Sequence, residues 1–182
     1  SDGTIVAIGE PEKTVSGKTK SGRTRVWEYN GSSWSRIGNI IGEAAYDKSG
    51  YSVSLSSDGT IVAIGAINHD TDNRGHVRVY EYDSGSWSKL GSDIDGEAAG
   101  DKSGYSVSLS GDGTTLAIGA PYNDGNGTDS GHVRVYQYSS GSWNQLGSDI
   151  DGEAAGDQSG YSVSLSSDGT TLAIGAPYND GN

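Results

Sequence analysis

The sequence predicts an all-β protein made of β-propeller blades, each of four antiparallel strands, and three observations support this. The segment Ser103–Pro121 returns at Ser159–Pro177 with a single change. An Asp-Gly pair recurs at positions 2, 58, 112 and 168, that is, every 54 to 56 residues. No segment has the 3.6-residue periodicity of a helix. A period of this length lies close to the ~50 residues of known blade repeats.

Each unit is predicted to contain four strands, which are clearest in the third unit. Their predicted bounds are Tyr105–Ser110, Thr115–Gly119, His132–Tyr138 and Ser142–Asp149. The first alternates apolar and small polar residues, and the second is continuously apolar or small, which predicts burial on both faces. The Asp-Gly pair between them predicts a tight turn. Length differences between units are expected only in the loop after Gly-Ala, at the variable edge of a fixed framework.

The chain is predicted to be one repeat array, an incomplete ring of about three and a quarter blades. The expected units are a partial blade at 1–41, blades at 42–95 and 96–151, and a partial blade at 152–182. Propellers need ~4–8 blades, so the ring is expected to close within a longer chain or by association with another copy. A stacked β-helix is the alternative, but its period is shorter and it lacks such hairpin turns.

The composition limits the classes of partner that the chain is expected to bind. The chain has 12 Lys and Arg against 24 Asp and Glu, a net charge of −12. Such a surface repels phosphate backbones, so no nucleic-acid partner is expected, whereas cations are attracted. There is no Cys, which excludes disulfides and thiol chemistry. No apolar run reaches the ~20 residues of a membrane span. The chain begins inside a repeat, so any export signal is expected to lie outside it.

The segments Gly104-Tyr105, Gly119-Ala120-Pro121 and Gly131–Tyr136 resemble the FG-GAP repeat, the blade of integrin alpha-chain propellers and of many surface proteins. The resemblance covers essentially the whole chain, although the name-giving Phe is absent. It implies a propeller fold and an extracellular or cell-surface location. Some blades of that family bind calcium through an Asp-x-Asp-x-Asp-Gly-x-x-Asp loop.

That calcium loop is not carried over to this chain. The Asp-Gly step remains, but the other ligand positions of the third unit fall on Ser108, Ser110 and Leu116. One carboxylate cannot supply the 6–8 oxygen ligands that calcium takes. The aspartates of this step, Asp58, Asp112 and Asp168, are therefore expected to form turns by accepting local backbone N–H bonds.

Two runs of acidic residues are the candidate metal sites, with calcium as the candidate cofactor. They comprise Asp93, Asp95, Glu97 and Asp101 in one unit, and Asp149, Asp151, Glu153 and Asp157 in the next. In the first unit only Glu43 and Asp47 remain. The alternative is architectural: these last two acids would cap turns or pair with a recurring cation. Arginine recurs at positions 25, 78 and 134, so an inter-blade Arg–carboxylate bridge is expected.

Loops supply further candidates. The variable loops carry oxygen ligands in no defined spacing, at Asn68, Asp70 and Asp72 and at Asn123, Asp124 and Asp129. The basic loop with Lys13, Lys18 and Lys20 is the candidate ligand-binding surface. Asn30 and Asn126 begin glycosylation sequons, both at expected hairpin tips. The repeated tryptophans 34, 87 and 143 are expected to seal neighbouring blades rather than to stack on sugars.

The function predicted first is a non-enzymatic extracellular structural or adhesive repeat protein that associates with further copies of the same repeat. This prediction rests on the near-identity of the repeats, since 29 of 31 residues agree between the stretches starting at Gly96 and Gly152. The alternative is an integrin-like recognition propeller that binds a protein or glycan, assisted by calcium. A propeller glycoside hydrolase is a remote third hypothesis, since almost every acid is a copied framework position.

Overall fold

The computed structural model describes residues 3–69 and 72–181, so Asp2 and Asp70 lie outside the described residues. These form fifteen strands in four antiparallel sheets, with no helix in the described ranges. The first sheet contains β1 (Ile5–Glu10), β2 (Arg23–Tyr29) and β3 (Trp34–Ile41). The second contains β4 (Ser49–Leu55), β5 (Ile61–Ala66), β6 (His76–Asp83), β7 (Ser86–Lys89) and β8 (Ile94–Asp95). The third contains β9 (Ser106–Leu109), β10 (Thr115–Ala120), β11 (His132–Ser139), β12 (Ser142–Gln145) and β13 (Ile150–Asp151), and the fourth β14 (Ser162–Leu165) and β15 (Leu172–Gly175).

The predicted blades of antiparallel strands are confirmed. In both complete sheets the strands lie side by side in chain order, and every pairing is antiparallel. The first sheet lacks its innermost strand and the last contains only its first two. The described residues therefore form part of a propeller and no closed ring. The predicted burial of the second strand on both faces is also confirmed, since all six residues of β10 are buried.

The fourth strand departs from the prediction. In the third blade it stops at Gln145 and resumes at Ile150, so 142–149 is not one strand. Gly147, at φ 77°, turns the chain aside, and both halves still pair with β11. The first blade has one residue fewer between its tryptophan and the following Gly (34 to 42, against 87 to 96) and keeps a continuous β3. Length differences are thus not confined to the loop after Gly-Ala.

The Asp-Gly turns are built by the aspartate side chain, as predicted. The hydroxyl of Ser110 and the amide of Thr114 both donate to Oδ1 of Asp112, at 2.6 and 3.0 Å. Asp58 and Asp168 accept the equivalent two bonds. The interpretation of these three aspartates as turn formers is confirmed.

Neighbouring blades meet backbone against backbone at paired glycines. A Cβ on Gly119 would lie 2.0 Å from the carbonyl oxygen of Gly160 in the next blade. The contact recurs one blade earlier, where a Cβ on Gly65 would lie 2.1 Å from the carbonyl oxygen of Gly104. Any side chain at Gly119 or Gly65 would overlap a main-chain atom, so only glycine allows this approach.

The alternating serines of the first strand explain the polar half of its pattern. Ser106 Oγ donates to the carbonyl of Gly160 at 2.8 Å, and Ser108 Oγ accepts the amide of Leu165 at 2.9 Å. Ser52 and Ser54 make the same two bonds to the third blade. The serines thus join blades, while the valine and leucine between them enter the apolar core.

We predict that Gly119→Ala lowers the free energy of unfolding by about 3 kcal/mol, because the added methyl overlaps the Gly160 carbonyl in a packed interface. Gly175 is the control, since it holds the same position in the last blade and an added Cβ meets chiefly the Ser162 hydroxyl. Urea unfolding of the two variants provides the measurement. Equal losses in both would contradict a blade interface set by this glycine.

Candidate functional site

The buried aspartates of the acidic runs are turn caps. Asp101 and Asp157 are 2% and 3% exposed, and each accepts the backbone amide three residues earlier, at 3.0 and 2.9 Å. Asp47 does the same in the first copy, at 2.7 Å. The architectural alternative, in which the last acid of each run caps a turn, is confirmed at all three positions.

Two of the three recurring arginines reach a neighbouring blade or linker, as expected, whereas Arg25 pairs with Glu10 on the adjacent strand of its own blade. Arg78 pairs with Glu43 from the preceding linker and with Asp93, the latter at 2.6 Å. Arg134 lies 3.4 Å from Glu97 and donates to the main-chain oxygen of Asp95 at 2.8 Å. Burial alone would raise the pKa of Asp93, but hydrogen bonds from Arg78 and Lys89 outweigh it and hold that pKa well below its usual range.

The two runs therefore do not converge on one point each. Asp149 accepts a hydrogen bond from the side-chain amide of Gln145 at 2.6 Å, and Glu153 accepts one from the side-chain amide of Asn179 at 3.3 Å. Within the described residues, two groups of three side chains bring their ligand atoms close together, and both include histidine. One group is His69, His76 and Asp95, and the other is Glu97, His132 and Asp149. Calcium binding by a whole run stays a prediction, as does any role of Asp151 in it.

One lysine of the basic loop forms an ion pair within the loop. Lys20 and Lys48 both pair with Glu12, at 2.8 and 3.1 Å, and Lys18 donates to the carbonyl of Glu43 at 2.5 Å. Lys13 lies beside them on the exposed surface. Ligand binding by Lys13, Lys18 and Lys20 stays a prediction.

The two sequon asparagines lie in exposed connections between strands. Asn30 occupies the tip between β2 and β3, where its Oδ1 accepts the amides of Ser32 and Ser33 at 3.0 Å. Asn126 lies in the loop between β10 and β11, and its amide donates to the carbonyls of Gly152 and Glu153. Their glycosylation stays a prediction.

The first blade presents an apolar groove of about 360 Å³ lined by Val6, Ile8, Trp27 and Trp34. Val6, Ile8 and Trp34 are 38%, 45% and 46% exposed. The same four positions recur in the next blades and are packed against the blade before. In the second blade, Ala7 and Ile40 of the first blade cover the equivalent residues, which are Val62, Ile64, Tyr80 and Trp87. In the third blade, Leu90 and Ile94 of the second blade cover Leu116, Ile118, Tyr136 and Trp143.

The third blade presents a second uncovered apolar surface, beside the two-stranded fourth sheet that packs on β9 and β10. Leu146 and Ile150 are 55% and 43% exposed on the third blade. Their counterparts one blade earlier are Leu90 and Ile94, which cover the four-residue face of the third blade. Trp143 also donates its Nε1 hydrogen to the carbonyl of Leu90 at 2.9 Å. The equivalents of the two uncovered surfaces therefore pack together between the second and third blades.

Sequence reasoning missed these uncovered faces and the histidine groups. The exposed valine and isoleucine of β1 read as ordinary strand residues, and only their place at an open end distinguishes them. His69 lies in the variable loop of the second unit, and only the fold brings it close to His76: their ring centroids lie 3.9 Å apart.

Comparison with known proteins supports the fold and the repeat. The FG-GAP repeat family matches residues 93–136 and 150–182, which confirms the expected resemblance. No curated protein sequence matches the chain significantly. No described part of the chain forms a helix long and apolar enough to cross a membrane.

Two solved structures of Bacteroides proteins, both described as candidate 6-phosphogluconolactonases, are similar in fold. The Bacteroides uniformis protein is 13% identical, with a TM-score of 0.57 over 84% of this chain and 40% of its own. The Bacteroides fragilis protein is 14% identical, with a TM-score of 0.57 over 83% and 37%. This chain thus spans about two fifths of their length, and a likeness at such identity shows the fold alone.

We predict that Asp93→Asn lowers the free energy of unfolding at pH 7 by about 2 kcal/mol, because it weakens the bridge to the buried Arg78 guanidinium. The folded-state pKa of Asp93 lies below its ordinary value of 3.8. This stability is therefore present above about pH 4 and is lost as pH falls through the lower folded-state pKa. The variant should also show a flatter acid dependence. Chemical unfolding at several pH values measures both effects.

Asp149→Asn is the control for this bridge, because Asp149 holds the same place one blade later and accepts from the neutral Gln145 amide. Its loss in free energy of unfolding at pH 7 should be clearly smaller than that of Asp93→Asn. If both variants lose the same stability at pH 7 and at pH 3, the arginine bridge is not the source of the effect.

Proposed function

We propose that this chain, in which the FG-GAP repeat family matches residues 93–136 and 150–182, is a non-enzymatic structural or adhesive repeat array of the extracellular space or cell surface. The observation that carries the proposal is the pair of unlike apolar faces left uncovered on the first and third blades. Each face has the chemistry of an interface that is buried inside the same chain. The occupant we propose for each is another blade of this repeat.

Chemistry favours a blade over a small ligand. The groove lined by Val6, Ile8, Trp27 and Trp34 is apolar and open, and it offers no convergent charged group. Small-molecule sites usually add a few placed polar groups to such a lining. A face of this composition is covered in the second blade by alanine and isoleucine of its neighbour. Joining the two unlike faces of successive copies gives a head-to-tail interface, and such an interface builds an open filament unless its rotation closes a ring.

The repeated residues support a non-enzymatic role. The paired glycines, alternating serines, turn aspartates and bridging arginines all act in contacts within or between blades. A catalytic site requires unlike groups that converge once with different environments. The lactonase assignment of the two Bacteroides proteins belongs to chains of much greater length. We therefore propose adhesion and assembly, with the array serving as one stretch of a longer surface.

We predict concentration-dependent association of the 18.8 kDa chain, measured by light scattering coupled to size-exclusion chromatography. Ile8→Glu and Ile150→Glu should each remove one uncovered face, because a buried carboxylate at the interface is costly. Each variant alone should be monomeric, and an equimolar mixture should form a dimer through the two intact faces. Tyr178→Glu, which alters an exposed aromatic outside both faces, is the control and should associate like the wild type.

A wild-type chain that stays monomeric at high concentration would contradict association between copies. Variants that associate as well as the wild type would show that other surfaces are used. A mixture that stays monomeric would mean that the two faces do not fit each other across molecules.

A further inference from the structure

One position of the variable loop lies beside the capping aspartate and changes between blades. The third and fourth blades have Asn123 and Asn179 there, and their side-chain amides donate to Asp101 and Asp157, both at 3.0 Å. The first blade has Lys13 at this position. The second blade has His69, whose Nδ1 lies 3.4 Å from Oδ1 of Asp47. An imidazole thus stands beside the capping aspartate where the later blades have an amide.

That replacement brings two imidazoles together. His69 and His76 have ring centroids 3.9 Å apart at an interplanar angle of 48°. His76 is 2% exposed, and its Nδ1 is buried with no hydrogen-bond partner among the described residues. A buried ring nitrogen without a partner is a costly feature unless a ligand completes it.

A carboxylate completes the group. Asp95 is the antiparallel pairing partner of His76 between β8 and β6, so the sheet fixes the two relative to each other. One ligand atom each from His69, His76 and Asp95 lies within 4.8 Å of the other two. Zinc takes imidazole nitrogen and carboxylate oxygen at about 2.0–2.2 Å. Ligand atoms at that distance from one ion lie at most about 4 Å from one another, so atoms within 4.8 Å are near the spacing that a bound ion requires.

We propose that His69, His76 and Asp95 bind a divalent transition-metal ion of the zinc class. Two imidazole nitrogens and one carboxylate suit zinc and its neighbours, whereas calcium takes oxygen ligands only. Asp47 lies 3.4 Å from Nδ1 of His69, and a carboxylate beside a metal-binding histidine is the usual means of orienting that histidine. Three protein ligands leave a further position for water.

The site is reachable from solvent. His69 lines a cleft of about 620 Å³ that is open to solvent, and the side chain of Asp95 is exposed.

The second histidine group is a poorer candidate. Its members are Glu97, His132 and Asp149. Glu97 faces Arg134 and Asp149 accepts the amide of Gln145, so both carboxylates already have partners. It also contains one imidazole rather than two. The proposal therefore rests on the second blade alone.

The test is calorimetric titration of the wild-type chain with Zn²⁺ alone at pH 7, with Co²⁺ absorption as a second readout of ligand type. The wild type should bind one tightly held ion. His69→Asn should weaken binding by about 100-fold, since even outer ligands of metal sites contribute 10–100-fold. This variant introduces the residue that the third and fourth blades use at the same position, so it should fold. Asp95→Asn, a change at an exposed side chain, should weaken binding similarly.

Asp151→Asn is the control, because Asp151 pairs with His132 as Asp95 pairs with His76. It should bind zinc like the wild type. Unchanged zinc affinity in both His69→Asn and Asp95→Asn, no binding by the wild type, or an equal loss in Asp151→Asn would overturn the proposal. Displacement of zinc by an equal concentration of Ca²⁺ would overturn the assignment of the metal class.

Discussion

The structure depends on one constraint, the approach of neighbouring blades until their backbones touch. At each junction a glycine on the second strand faces a glycine at the start of the next blade, and a single added methyl would overlap a carbonyl oxygen. This approach brings serine hydroxyls within reach of the next main chain and lets apolar faces close over each other. It also explains why the same short segment returns in each unit. Each copy contacts the blade before it through the glycine at its start, and the blade after it through the glycine on its second strand.

A chain built in this way commits most of its polar residues to architecture. The turn aspartates, capping aspartates and bridging arginines satisfy buried groups where blades and linkers meet. Function is then expected where the repeat is interrupted. Two kinds of interruption occur in the described residues: the apolar faces left uncovered on the first and third blades, and His69, where the third and fourth copies have asparagine.

The sequence was sufficient for the fold and much less so for the site. Periodicity and the Asp-Gly markers predicted the blades, because repetition and turn chemistry act locally. The break near Gly147 was missed because one extra residue changes a strand without changing its composition. The acidic runs looked like metal loops because spacing along the chain does not show that Asp101 turns inward to an amide while Asp93 turns to Arg78. A closer alignment of the variable loops would have shown His69 opposite Asn123.

Native-state hydrogen exchange of the inter-blade amides tests the central claim most directly. The amides of Ser57, Leu109 and Gly111 donate to atoms of a neighbouring blade, namely the carbonyl of Gly111, Ser54 Oγ and the carbonyl of Ser167. If blade junctions are part of the folded framework, these amides should exchange as slowly as those within the sheets. Exchange at the rate of exposed loops, with sheet amides still protected, would show that blades fold singly and would contradict the account.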